Sequence, residues 1–255
     1  MKAFQFNTTP GIRFGSDYSV STAEEVSKKL GKKILFVTDP GLVKIGLHEK
    51  TITELQKYSE IIIFDNVEAD PSIKTLMDCV QQGRDFDATG VIGFGGGSSM
   101  DVSKLTALLI GSNENIHEAW GVANAKGPRL PLALYPTTSG TGSEVTPISI
   151  ITQEDLEKKG VSSPIILPDL AILDPILTLG LPPHITAATG IDAMVHAIES
   201  YASKSVNNNL ISKTLAKEAL KLLGGSIRQA VLNGKDIEAR SNMLVGSMLA
   251  GVSFG

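Results

Sequence analysis

The stretch Gly90–Asp101, GVIGFGGGSSMD, constrains the fold more than any other part of the sequence. An apolar run long enough for one strand passes straight into consecutive glycines, and Asp101–Ile110 then follows a helical period. Glycines at such a junction let an anionic oxygen approach main-chain N–H groups, and a helix N-terminus adds partial positive charge. The spacing is not the dinucleotide fingerprint, because Gly93-x-Gly95 is followed by Ser98 where that pattern needs glycine; nor is there a Walker lysine. From the residues alone the turn is either a phosphate cradle or simply a tight connection.

The surrounding sequence repeats the same alternation. Apolar, β-branched runs at Ile34–Val37 and in EIIIFD alternate with amphipathic segments, and later short strands are expected at Leu132–Tyr135, Thr146–Ile151 and Leu170–Leu173. Ser21-Thr22-Ala23-Glu24 has capping-box spacing for a helix ending near Gly31, and Asp70-Pro71 reads as an N-cap with proline at the first helical position. Strands separated by helices of this length imply parallel crossovers and a sheet covered on both faces. After Leu181-Pro182-Pro183 the period is helical throughout. Ala188, Ile191, Val195, Ile198 and Ala202 read as one buried stripe, and Gly224-Gly225 as the stop of a helix begun at Leu210. The expected fold class is an α/β part with a parallel sheet followed by an all-α part, with the boundary near residue 180.

Acids and bases are interspersed and the formal charge is −4, so no basic face suggests nucleic acid or an anionic membrane as partner. Cys79 is the only cysteine, which excludes a disulfide within the chain. Its helical, apolar setting indicates a buried, inert thiol. With no signal-like segment and no apolar run of spanning length, a soluble, cytoplasmic protein is expected. The apolar ending SNMLVGSMLAGVSFG needs a surface to pack against, its own chain or a partner, and a homo-oligomer is expected on that ground.

Three further places carry chemistry. Asp39 lies at the end of a strand, where open α/β sheets bind ligands; a carboxylate there accepts both ribose hydroxyls and repels a 2′-phosphate, or else is only a turn residue before Pro40. Pro136–Thr146, PTTSGTGSEVT, concentrates hydroxyls suited to a diphosphate or a carboxamide ring. Asp192 and His196, four apart, share one side of a helix and can offer two ligands to a divalent metal, or form a surface hydrogen bond. Glu199 shares that side as a solvated group, while His48, His117 and His184 read as structural or exposed.

Taken together these segments resemble the iron-containing (group III) alcohol dehydrogenases. The likeness rests on Thr38-Asp39-Pro40-Gly41, on Gly95-Gly96-Gly97-Ser98-x-x-Asp101, on Pro136-Thr137-Thr138-x-Gly140-Thr141-Gly142-Ser143-Glu144, and on Gly190-Ile191-Asp192-Ala193-Met194-Val195-His196-Ala197. It implies an α/β N-terminal domain with a dinucleotide-binding parallel sheet (residues 1–180) plus a partial all-α C-terminal domain (residues 181–255). It also implies NAD as cofactor, with NADP disfavoured by Asp39, and one divalent ion, Fe²⁺ or Zn²⁺. By the same likeness Gly95, Gly96, Gly97 and Ser98 form the pyrophosphate cradle, and Asp101 caps the turn or faces the nicotinamide side. Thr137, Thr138, Thr141 and Ser143 line the cofactor, Leu179 borders it, and Lys158 matches a lysine placed near it. Asp192 and His196 match the first two metal ligands. Family members carry two more metal-binding histidines and an active-site histidine that fall after residue 255, so the metal site is incomplete in this chain.

The activity expected is hydride transfer between a small primary alcohol or aldehyde and NAD(H). The alternative is a catalytically weak or inactive nucleotide-binding homologue acting as a binding or assembly subunit. Polyol oxidation and phosphosugar cyclisation fit the loop sequences less well.

Overall fold

The computed structural model describes residues 3–205 and 208–254. The chain opens with β1 (Gly11–Phe14), α1 (Tyr18–Ser21), α2 (Ala23–Leu30) and β2 (Lys33–Val37). Next come α3 (Pro40–Lys44), α4 (Glu49–Leu55), β3 (Glu60–Phe64), α5 (Ile73–Asp85), β4 (Gly90–Gly95) and α6 (Gly97–Ser112). Then α7 (Ile116–Ala119), β5 (Gly121–Val122), β6 (Leu132–Pro136), β7 (Ile148–Thr152), β8 (Lys158–Ser162) and β9 (Leu170–Leu173) complete the strands. Three helices follow, α8 (Pro183–Ala202), α9 (Leu210–Leu232) and α10 (Ile237–Phe254).

Six strands pair in the order β1-β9-β6-β4-β2-β3, every pairing parallel. A sheet of this kind is buried on both faces, which is why β2 and β4 read as unbroken apolar runs rather than alternating ones. Leu35, Val37 and Val91 pack into one core with Leu76 and Leu105, while Ile34, Phe36 and Ile92 pack on the opposite face with Leu30 and Tyr135. From β2 the chain adds β3 on one side and then returns to place β4 on the other. Strand order therefore reverses at the β2/β4 boundary, the position where open parallel sheets leave a crevice beyond their carboxyl ends. A second, three-stranded sheet (β5-β8-β7) covers the end of α6 nearest that crevice. Strands β1, β5 and β8 lie outside the sequence expectation; β8 contains Lys158, Lys159 and Gly160, a poor strand composition imposed by antiparallel pairing with β7.

Several local expectations are overturned. The capping box at Ser21–Glu24 does not form. Thr22 already closes α1, so its hydroxyl donates back to the Tyr18 carbonyl (2.6 Å) and makes no cap bond to α2. Ser72, not Asp70, is the N-cap of α5, accepting from the Thr75 N–H, while Asp70 takes a positive φ of 53°. Gly224 and Gly225 do not stop α9. The buried positions Ala216, Ala219, Leu223, Ser226 and Ala230 keep helical spacing straight across them, and packing against α8 and α10 outweighs about 1 kcal/mol of propensity per glycine.

The stripe expected on α8 is also reversed. Ile191, Val195 and Ile198 are exposed, as are Ala188 and Ala202; the buried face is Thr186, Gly190, Ala193, Ala197 and Ser200. Small side chains win that face because the helices meet at close range. A Cβ on Gly190 would stand 2.6 Å from Met243 Cε, and one on Gly246 2.8 Å from Leu223 Cγ. The apolar C-terminal segment is covered by the chain itself, since α10 packs along α9 and α8. No helix among the described residues is long and apolar enough to cross a membrane.

Arg240 ties the bundle to the segment entering α8. Only 2% exposed, it donates to the carbonyls of Gly234 (2.9 Å) and Leu181 (3.0 Å) and to Thr186 Oγ1 (2.8 Å). Arg240→Met removes all three bonds, leaving the Leu181 carbonyl only the 3.4 Å bond from Thr186 Oγ1, and is expected to cost about 3 kcal/mol. The urea midpoint should fall with an unchanged slope; an unmoved midpoint would show that water replaces the guanidinium without penalty.

Candidate functional site

Everything singled out at the strand ends converges on the β2/β4 boundary. Val37 pairs with Gly93, which sets Asp39 beside Gly95. Asp39 Oδ1 accepts the Leu42 N–H (3.0 Å) and caps α3, and Oδ2 lies 3.5 Å from where a Gly95 Cβ would stand. The turn reading of this aspartate holds, since it caps α3, and its second oxygen lies toward the glycine turn. Gly95 has φ of +154°, and a Cβ there would overlap Ser99 Oγ at 2.6 Å, so the position admits glycine only.

Helix α6 starts at Gly97, four residues earlier than the periodicity suggested. Its N-cap is Gly96, which makes no side-chain cap bond, and its first turn holds no acid. Free first-turn N–H groups at the end of a sixteen-residue helix make an anion site. Thr137 N donates to the Gly95 carbonyl (3.0 Å), binding the hydroxyl loop to the glycine turn. Thr138 Oγ1 lies 3.5 Å from a Cβ built on Gly96, and Thr141 Cγ2 2.8 Å from one built on Gly97. Ser98 is half-buried in the same first turn.

Deeper in, Asp101 is fastened on both oxygens. Oδ1 accepts from Ser143 Oγ (2.7 Å) and Oδ2 from the Ile150 N–H (2.9 Å). Beneath them Lys104, wholly buried, donates to Ser143 Oγ (2.7 Å), to the Ile148 carbonyl (2.7 Å) and to Thr146 Oγ1 (3.3 Å), with Asp101 Oδ1 at 3.8 Å. Burial pushes the Lys104 ammonium down to about 8 and raises Asp101, while the attraction between the two opposes both shifts. Glu144 is buried as well, its carboxyl raised to about 7 by loss of water.

A cavity of about 310 Å³ opens above this floor. Asp101, Thr141, Ser143, Thr146, Ile148 and Ile150 line it together with His196, Gly251 and Phe254 of the helical part. His196 and Asp192 approach each other at 3.8 Å (Nε2 to Oδ1), the imidazole lying against the Phe254 ring with centroids 5.4 Å apart. Asp192 and His196 have side-chain exposures of 47% and 28%. Larger hollows, about 430 Å³ beside Glu199 and about 450 Å³ along α5, gather none of the cofactor or metal candidates.

The remaining candidates are more peripheral. Lys158, on β8, is more than half exposed and pairs with Asp70 (2.6 Å) near the segment leaving β3. Leu179 is half-buried between β9 and α8. Cys79 is fully buried, and loss of water pushes its thiol up to about 12, an inert group. His48 is buried against Phe36 rather than exposed, while His117 and His184 are exposed. Sequence reading missed Lys104, Ile148, Ile150 and Phe254. A lone cation inside the apolar helix SSMDVSKLTALLIG was the available signal for the first.

With this geometry in place, comparison with known proteins is decisive. The family pattern described as "Iron-containing alcohol dehydrogenase" matches residues 9–175, and "Fe-containing alcohol dehydrogenase family, C-terminal" matches residues 186–255. The chain belongs to the iron-containing alcohol dehydrogenase family. It is 40% identical over 256 residues to a sulfoacetaldehyde reductase of Bilophila wadsworthia, covering 99% of this chain and 65% of the relative. The solved alcohol dehydrogenase from Oenococcus oeni superposes with a TM-score of 0.94 at 35% identity, covering 99% of this chain and 66% of that one. A sulfoacetaldehyde reductase from Bifidobacterium kashiwanohense, solved in complex with NAD⁺, gives 0.91 at 31% identity, with 99% and 67% covered. The chain thus spans less than two thirds of the length of the curated relative.

Proposed function

We propose that this chain is an oxidoreductase that binds NAD across the β2/β4 boundary and passes hydride between a small primary alcohol or aldehyde and the nicotinamide in the 310 Å³ cavity. One observation carries the reading: Asp101, Thr141 and Ser143 of the cofactor motifs line the same cavity as His196 of the ligand motif. Asp39 would take the adenosine ribose hydroxyls, Gly95–Ser98 the pyrophosphate, and Thr137, Thr138, Thr141 and Ser143 the rest of the cofactor, with Leu179 and Lys158 at its border. Ile148, Ile150 and Phe254 would give the transfer path an apolar edge. The nucleotide-bound relative supports NAD as the carrier.

Asp192 and His196 would hold a divalent ion, to which imidazole and carboxylate suit Fe²⁺ and Zn²⁺ alike. Their 3.8 Å separation on one helix face fits two adjacent donors. No cluster of three or more His, Cys, Asp or Glu that could hold a metal occurs among the described residues, so the set is partial. When bound, such an ion supplies Lewis acidity toward a substrate oxygen. A second reading, nucleotide binding without turnover, is favoured by that partial set, because two donors hold an ion far more weakly than four.

Gly96→Ala tests the cofactor site cleanly. Its backbone suits alanine and the nearest atoms to the new Cβ are 3.5 Å away, so the fold should be unaffected. The methyl instead fills the space a phosphate oxygen needs, and NAD affinity by calorimetry is expected to fall about 100-fold. Wild-type affinity in the variant would mean the glycine turn is only a turn. NADH formation from short alcohols with Fe²⁺, measured beside Asp192→Ala/His196→Ala, separates the two readings: metal-dependent turnover supports catalysis, and binding without it supports the second.

A further inference from the structure

The lysine under the cavity floor has no part in the assignment above, yet its bonds dictate what the floor can offer a ligand. Ser143 Oγ has one hydrogen. It accepts from Lys104 Nζ at 2.7 Å, an atom with protons only to give, and it sits 2.7 Å from Asp101 Oδ1, an atom able only to accept when ionised. The hydroxyl hydrogen must therefore point at Asp101. What Ser143 has left for the cavity is a lone pair. Asp101 has spent part of each oxygen on Ser143 and on the Ile150 N–H, and the capacity it retains is again acceptor only.

We propose that Lys104 is a positioning residue that keeps the cavity floor a pure acceptor surface, one that selects the amide –NH₂ of the nicotinamide carboxamide. This rests on the reading that NAD occupies the cavity. A primary amide carries two donors on one nitrogen, and Ser143 Oγ with Asp101 supplies acceptors side by side. The ammonium is what makes the arrangement definite. Without it Asp101 loses the nearby positive charge that offsets its burial; a protonated Asp101 donates to Ser143 Oγ, whose hydrogen then turns into the cavity. Three bonds from this one buried group also hold Ser143, Thr146 and the start of β7 in fixed positions beside α6. Burial lowers Lys104 and raises Asp101, and the attraction between the two opposes both shifts, so each group's charge depends on the other being in place.

Three ligands distinguish this from a general structural role: NAD⁺, its 3-acetylpyridine analogue, in which methyl replaces the –NH₂, and ADP-ribose, which lacks the ring. Each is titrated by calorimetry into the full chain and into Lys104→Met, with circular dichroism to check folding. The wild-type protein is expected to prefer NAD⁺ over the analogue by about tenfold, the size of one hydrogen bond to a charged group. Lys104→Met should bring that ratio to within about twofold while ADP-ribose affinity holds, a pattern that simple loosening of the fold cannot produce. A tenfold preference surviving in the folded variant overturns the proposal, as does an equal loss for all three ligands. Should Lys104→Met not fold, Ser143→Ala decides, since it removes the lone pair and leaves the ammonium; a retained preference there is equally fatal. Failure of ADP-ribose to bind wild-type protein refutes the NAD reading itself, and this inference with it.

Discussion

Gly142→Ala is expected to lower stability by about 2–4 kcal/mol and the melting temperature by roughly 10 °C. Gly142 has φ of +61°, and a Cβ would stand 2.7 Å from Gly251 Cα and 3.0 Å from the Ser247 carbonyl. These are backbone atoms of α10, which cannot swing aside as a side chain would. A Cβ on Gly251 would in turn meet the Gly142 carbonyl at 2.7 Å. The two glycines are the contact that lets α10 close on the hydroxyl loop and bring Phe254 over the cavity. Gly224→Ala is the control of opposite sign. That glycine is exposed within α9 with nothing within 4 Å of a new Cβ, so alanine should add up to about 1 kcal/mol. Thermal melts that moved both variants the same way would show that backbone approach is not what limits Gly142.

Asp39→Ser is expected to raise the affinity for NADP relative to NAD about 100-fold. Asp39 has two jobs in the structure, and serine separates them. Its Oδ1 caps α3 through the Leu42 N–H at 3.0 Å, a bond that serine can make from the same position. Its charge faces the glycine turn, where a 2′-phosphate would be repelled. Removing the charge while keeping the cap should leave the melting temperature nearly unchanged and shift only the nucleotide preference. Calorimetry with both nucleotides gives the ratio; an unmoved ratio would falsify the specificity role and leave Asp39 a cap.

Much of the local structure around the candidate site was legible in the sequence. GFGGGSS followed by a helical period required a strand, a turn with open N–H groups and a helix; Asp192 and His196 had to share a helix side. What misled was local reading where packing decides. On α8 the large apolar residues looked like the core face, but small residues took it because three helices approach too closely for branched side chains. In α9, glycines that should end a helix were carried by the apolar spacing on either side. Lys104 was passed over because a charge in an apolar helix is not recognisable as buried until its partners, 39 to 44 residues away, are in place.

Sequence by itself determined the class of fold and the identity of the groups at each strand end, since propensity, hydrophobic period and turn chemistry act over a few residues. Only tertiary structure decided which groups meet. The pairing of β2 with β4 set Asp39 beside Gly95, and the glycine contact between residues 142 and 251 brought α10, with Phe254, to the cavity that Asp101 and Ser143 line. These are contacts between residues far apart in the chain, fixed by crossover geometry and by how closely two backbones approach, and no local pattern encodes them.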